Sequence, residues 1–212
     1  MKAKYRGAFL FLLFAVTMFA PAASALPLTG TVSGWGPNSV SFQYSHDGRT
    51  IEGWVDYAVY DDYPGDFPSG EQYLYAYQIF NSGLSDVDIE SLSIGILDDA
   101  DVGIIGYDGY GVPGGTVPTY SYFSPGSGSA QSAVYLFLPT LIGEGVIEDG
   151  DESVLLVFTS VDGPTEGFGI IQGGGIGTMV EHLPTPVPEP ATVILLGIGS
   201  AFLAVTGRRK TG

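Results

Sequence analysis

No stretch between Leu26 and Leu183 carries an apolar repeat with the period of a helix. Short runs of β-branched, aromatic and aliphatic residues alternate instead with Gly, Asp, Asn and Pro. That punctuation confines the segment to an all-β fold, because each run is strand-length and each interruption favours a turn. The candidate strands are Gly30–Gly34, Ser39–Tyr44, Thr50–Tyr60, Gln72–Asn81, Asp86–Ile96, Gly103–Tyr107, Thr119–Phe123, Ala133–Leu138, Ser153–Ser160, Gly167–Gln172 and Gly177–His182. Their spacing predicts a single antiparallel β-sandwich of the jelly-roll or immunoglobulin-like kind. His46-Asp47-Gly48-Arg49 reads as a hairpin turn, since Asp-Gly accepts the positive φ that matches strand twist. Asn81-Ser82-Gly83 separates two further runs that read as a pair within one sheet. Both faces of Tyr73–Phe80 are apolar or aromatic, as expected of a strand inside a sandwich, and Val134–Leu138 and Val154–Phe158 also read as buried.

Charge narrows the function of this segment. Of the seven Lys and Arg, three open the chain (Lys2, Lys4, Arg6), three close it (Arg208, Arg209, Lys210), and only Arg49 lies between. All 23 Asp and Glu fall between Asp47 and Glu189, so residues 26–190 carry one Arg against 23 carboxylates, a formal −22. Nucleic-acid binding through a basic surface is excluded. Lys-based covalent catalysis is excluded as well, because the segment has no Lys. The chain has no cysteine, so neither disulfides nor Cys-ligated zinc stabilise it, and packing must.

The two ends read as addresses. Residues 1–25 have a basic start, an apolar run (Ala8–Ala20) and the small-residue pattern Ala23-Ser24-Ala25. This is the layout of a cleaved secretory signal, with Leu26 as the expected mature start. Residues 26–183 form the acidic β domain, and residues 184–190 a proline-rich spacer expected to be extended, outside helix and sheet. Residues 191–207 are apolar and uncharged. As a helix such a run is about 25 Å long, at the short end for a bilayer. Arg208, Arg209 and Lys210 in the tail 208–212 would hold that end in the cytoplasm.

The order of these last parts is distinctive: Pro188-Glu189-Pro190, an Ala-led apolar run, then a basic cluster. It resembles the PEP-CTERM sorting signal of Gram-negative bacteria. The resemblance implies recognition of Pro188, Glu189 and Pro190 by an exosortase, a membrane-embedded processing enzyme. It further implies removal of the tail near that motif and delivery of the body to the cell surface or an extracellular polysaccharide matrix. Before processing, the membrane is engaged through the C-terminal helix. In physical terms, two prolines around one carboxylate make a stiff extended peptide that a protease subsite can read just outside the bilayer.

Within the β domain the candidate sites compete with ordinary structural roles. Asp98, Asp99 and Asp101, and Asp149 and Asp151, are the densest carboxylates and the candidate calcium ligands, since Ca²⁺ takes six to eight oxygens. None of the clusters matches an EF-hand loop, and Asp is a common turn former. A Ser-His-Asp hydrolase would need a buried oriented base, whereas His46 lies on a predicted turn and His182 beside the spacer. Two carboxylates suffice for a glycosidase, but no motif marks a pair, and the expectation is a domain without catalytic residues. Trp54, Tyr107 and Tyr110 are the candidate sugar-stacking residues, set against the alternative that strand aromatics fill the core. The expected function is that of a structural or adhesive surface protein; the alternative is a polysaccharide-binding module assisted by calcium.

Overall fold

A computed structural model of the chain describes Leu26 and residues 29–67, 72–97, 100–109, 112, 114–125, 131–139 and 145–188. The expected signal helix (1–25) and membrane helix (191–207) lie outside the described residues. Among the described residues no helix is long and apolar enough to cross a membrane.

The described strands are β1 (Asn38–His46), β2 (Arg49–Tyr60), β3 (Tyr73–Asn81), β4 (Ser91–Ile96), β5 (Val102–Asp108), β6 (Tyr120–Pro125), β7 (Gln131–Leu136), β8 (Leu155–Ser160), β9 (Pro164–Gly173) and β10 (Ile176–Pro186). They form two five-stranded sheets, β1-β2-β3-β8-β5 and β10-β9-β4-β7-β6. Every pairing within them is antiparallel. The sheets stack as a sandwich. The predicted turn joins β1 to β2, with Asp47 at φ 51° and Gly48 at φ 75°, as a tight primed turn demands. Gly30–Gly34 is no strand but a short irregular stretch at the end of β2, held by the bridge Thr31↔Tyr60 and by Val32 N–H to Val59 O (2.8 Å) and Asp61 N–H to Gly30 O (3.0 Å).

Two expectations are corrected. β3 and β4 are not a pair: β3 lies between β2 and β8, and β4 between β9 and β7. The link between them crosses from one sheet to the other. It is fixed by the Asn81 side-chain amide, which donates to Val87 O (3.0 Å) and Ile147 O (2.9 Å), and by the bridge Ile89↔Ile147. The same carbonyls also accept from the Ser85 hydroxyl (2.9 Å) and from Ile89 N–H (2.9 Å), so a local turn at Ser82–Ser85 leads into a crossing rather than into a hairpin. The second correction concerns the spacer. β10 continues through it to Pro186, with Leu183 opposite Gly167, Thr185 opposite Thr165 and Pro186 opposite Pro164. Proline is compatible here because β10 is an edge strand that needs donors on one side only.

The main core lies between the sheets. Phe158 stacks on Tyr75 (ring centroids 4.9 Å apart) and Tyr77 (6.1 Å), and meets Phe123 of the opposite sheet edge-on at 6.0 Å. A second apolar cluster covers the outer face of the first sheet. There Leu74, Ala76, Leu155 and Val157 are buried beneath Leu26, Tyr63 and Val112. Tyr60 and Tyr63 meet at 5.1 Å in an edge-on arrangement within it.

Candidate functional site

The point where the chain leaves the sandwich is built from β9 and β10. At the start of β9, Gly167 leaves room for its neighbour: a Cβ there would sit 2.4 Å from Thr185 Cγ2. Thr185 donates its hydroxyl to Gly95 O of β4 at 2.5 Å. The Tyr77 hydroxyl donates to Pro184 O at 2.5 Å from inside the core. Val187, just past β10, still donates its N–H to Gly163 O at 3.1 Å. Alternate residues of a strand direct their N atoms to opposite sides. Because Val187 N–H faces β9, the nitrogens of Pro184 and Pro186 turn to the unpaired side of β10. A strand edge without donors cannot template another strand there. Pro188, the first residue of the sorting tripeptide, stands two residues past β10 and is half-buried; Glu189 and Pro190 lie outside the described residues.

A groove of about 490 Å³ opens beside this exit. β9 pairs with β4 from Gln172 to Gly169 and then parts from it. The gap is lined by Leu97, Phe168, Ile170, Val187 and Pro188, with Ser93 and Ser132 on its floor. It belongs to the outer face of the second sheet. The register aligns Tyr122, Val134, Ser93, Ile170 and Met179 in one row across all five strands. Tyr120, Tyr122, Phe168, Ile170 and Met179 on this face are between 40% and 58% exposed. The outward positions of β4, β6 and β7 carry no charge. The charged corner is at β9–β10, where His182 Nδ1 lies 3.4 Å from Glu166 Oε2 and Glu181 stands opposite Phe168.

The remaining predicted residues are dispersed. Trp54 stands on the outer face of the first sheet, stacked on Phe80 at 4.8 Å and 9°. Its Nε1 is buried without a hydrogen-bond partner among the described residues. Beside it Asp56 is 1% exposed and accepts from the Ser39 hydroxyl. Gln78 lies opposite Asp56 with its amide nitrogen on Ser153 O (3.3 Å) and its Oε1 unpartnered. Glu152 nearby has its carboxyl pushed up, first by burial, then by the charges of Asp151 and Asp56. The pattern of buried polar atoms around Trp54 was invisible to sequence reasoning, which picked the ring alone. Tyr107 is 48% exposed on β5, and Tyr110 lies outside the described residues.

Asp149 and Asp151 sit exposed on a turn that Asn81 closes, through Gly150 N–H to Asn81 O (3.1 Å) and Asn81 N–H to Asp151 O (2.9 Å). Asp101 meets Asp162, whose carboxylate accepts the Asp101 N–H at 2.7 Å. Asp98 and Asp99 lie outside the described residues. Among the described residues no three His, Asp or Glu side chains converge on a point that could hold a metal ion. Leu26 is described and buried at 4% exposure, while Ala23, Ala25, Arg208, Arg209 and Lys210 lie outside.

Residues 186–210 match the PEP-CTERM protein-sorting motif. That match implies an exported protein that is sorted to the cell surface and processed by an exosortase. Neither the curated proteins nor the solved structures contain a match to the chain.

Proposed function

We propose, starting from the sorting motif at the end of β10, that this chain delivers a non-enzymatic β-sandwich to the cell surface or its extracellular matrix, where the domain is a structural or adhesive component. The export signal at residues 1–25 and the apolar run 191–207, which enters the inner membrane until the tail is cut, belong to the same reading. The observation that carries the adhesive role is the outer face of the second sheet. Five large apolar or aromatic side chains stand exposed there in a domain that is otherwise strongly acidic. Contiguous exposed apolar surface of this kind marks interaction sites.

Replacing Pro188, Glu189 and Pro190 by alanine is expected to leave the tail attached and the protein in the inner membrane. Mass spectrometry of cell fractions checks this; unchanged mass and release would overturn the sorting role of the motif. A second reading, polysaccharide binding, is favoured by the exposed Tyr107 at the edge of the first sheet. Its aromatic face is free to stack on a sugar ring. Loss of retention on a polysaccharide column in Tyr107→Ala and Tyr110→Ala would support it. A melting temperature that responds to calcium against chelator would add the metal.

A further inference from the structure

We infer that, while the tail is still attached, the sandwich lies on its side against the membrane, with the outer face of the second sheet on the lipid surface. This rests on the proposal that residues 191–207 enter the bilayer. The occupant follows from reach. Pro188 borders the groove, and Ala191 begins the apolar run three residues later. Three extended steps span at most about 11 Å. The polar layer on each side of a bilayer's hydrocarbon is roughly 5–8 Å thick. The groove is thereby held at or just above the level of the lipid headgroups.

Charge decides which surface turns toward them. At the exit end, the loop after β2 exposes Asp61, Asp62 and Asp66, and Asp101 is exposed before β5. Standing on that end would press carboxylates into the headgroup layer without a single Lys to compensate. The outward positions of β4, β6 and β7 offer no such penalty, and Phe168 and Ile170 flank the groove next to the exit. Tyr120 and Tyr122 complete the face, and tyrosine favours the membrane interface, with its ring among the lipids and its hydroxyl in water. Among the described residues of this face, Glu166 and Glu181 mark the charged corner and set the tilt, since they must stay hydrated. Cutting the tail releases this face, which becomes the adhesive surface of the finished protein.

The test uses the full chain in phosphatidylcholine vesicles. The protein has no cysteine, so single-cysteine variants can be labelled cleanly. Ile170→Cys reports on the proposed face, and Ser41→Cys, exposed on β1, reports on the opposite sheet. Each carries an environment-sensitive fluorophore, and the lipid carries a headgroup-attached quencher. Several-fold stronger quenching at position 170 than at 41 is the expected result. Equal quenching at both positions, in protein that floats with the vesicles, overturns the side-on arrangement and leaves the membrane insertion standing. Protein that does not float overturns the insertion itself. A fluorescence change at position 170 that follows protein concentration and not lipid assigns the face to a second copy of the chain, and the lipid proposal falls. Circular dichroism of both labelled variants confirms that the sandwich is intact.

Discussion

The two sheets of the sandwich share an inner core but treat their outer faces in opposite ways. The first sheet is roofed by its own chain: Leu26, Tyr63 and Val112 bury Leu74, Ala76, Leu155 and Val157. The second sheet leaves Tyr120, Tyr122, Phe168, Ile170 and Met179 open. The first face also carries the buried carboxylate of Asp56 and the buried amide of Gln78, which the second lacks among its described residues. The faces differ further in where the connections run. The segment between β2 and β3 folds back over the first sheet, whereas no described segment covers the second. One face is thus part of the folding problem, and the other is proposed as part of the function.

Substitution should expose that division. Leu74→Ala, under the roof and fully buried, should cost about 2–5 kcal/mol in urea unfolding. Ile170→Ala, on the open face, should stay within about 0.5 kcal/mol of the parent. Equal losses would mean that the open face is covered in solution.

The tyrosines that the two sheets turn into the shared core sharpen the comparison. Tyr77 of the first sheet and Tyr135 of the second are both fully buried. Tyr77 holds Pro184 O, whereas the Tyr135 hydroxyl has no partner among the described residues. Tyr77→Phe should therefore cost about 1–3 kcal/mol, since it leaves a buried carbonyl unsatisfied. Tyr135→Phe should be neutral or stabilising.

Alkaline unfolding reads the same pair. Burial holds both phenols well above their ordinary range, and Tyr75 likewise. Above pH 10 the unfolded chain loses these protons while the folded one keeps them. Stability should fall as pH rises, by up to about 1.4 kcal/mol per pH unit for each phenol. Tyr135→Phe should flatten that fall, and an unchanged slope would show that the ring is reached by solvent.

The smallest effect belongs to the roofed side. Glu152 has its carboxyl raised, so the folded state holds this proton more tightly than the unfolded chain does. Its contribution favours folding below the ordinary value near 4.5 and is lost as pH rises through the raised one. Glu152→Gln should remove this slope and melt slightly higher at neutral pH. A melting temperature that drops instead would mean that the ionised carboxylate is needed.

The strands were legible in the sequence because each is bounded by residues with strong local preferences. Thr50–Tyr60 and Gln72–Asn81 differ from β2 and β3 by one residue at one end. Pairing was less legible. Asn-Ser-Gly looks like a hairpin turn, but the tie from Asn81 to Ile147 spans 66 residues, and no local pattern announces it. The proline-rich spacer misled for the opposite reason. Its local chemistry forbids a central strand, and only the sheet order reveals that it runs along an edge. The sorting motif was readable because a processing enzyme reads it as a linear peptide. The candidate sugar and metal residues were less so. Trp54 and Tyr107 end up on different strands of one sheet, and Asp149 and Asp151 serve a turn.

The hydrogen bond from Val187 to Gly163 bears on the life of the finished protein. A cut near Pro188–Pro190 creates a new carboxyl end one to three residues beyond Val187, the last residue stitched to β9. Exopeptidases digest loose ends, and this end has almost none to offer. Further back, the chain is tied through Thr185 to β4 and through Pro184 to Tyr77. Trimming should stall there, so the secreted population should end within a narrow window of masses. The same stitching would protect what a cut at the motif leaves behind.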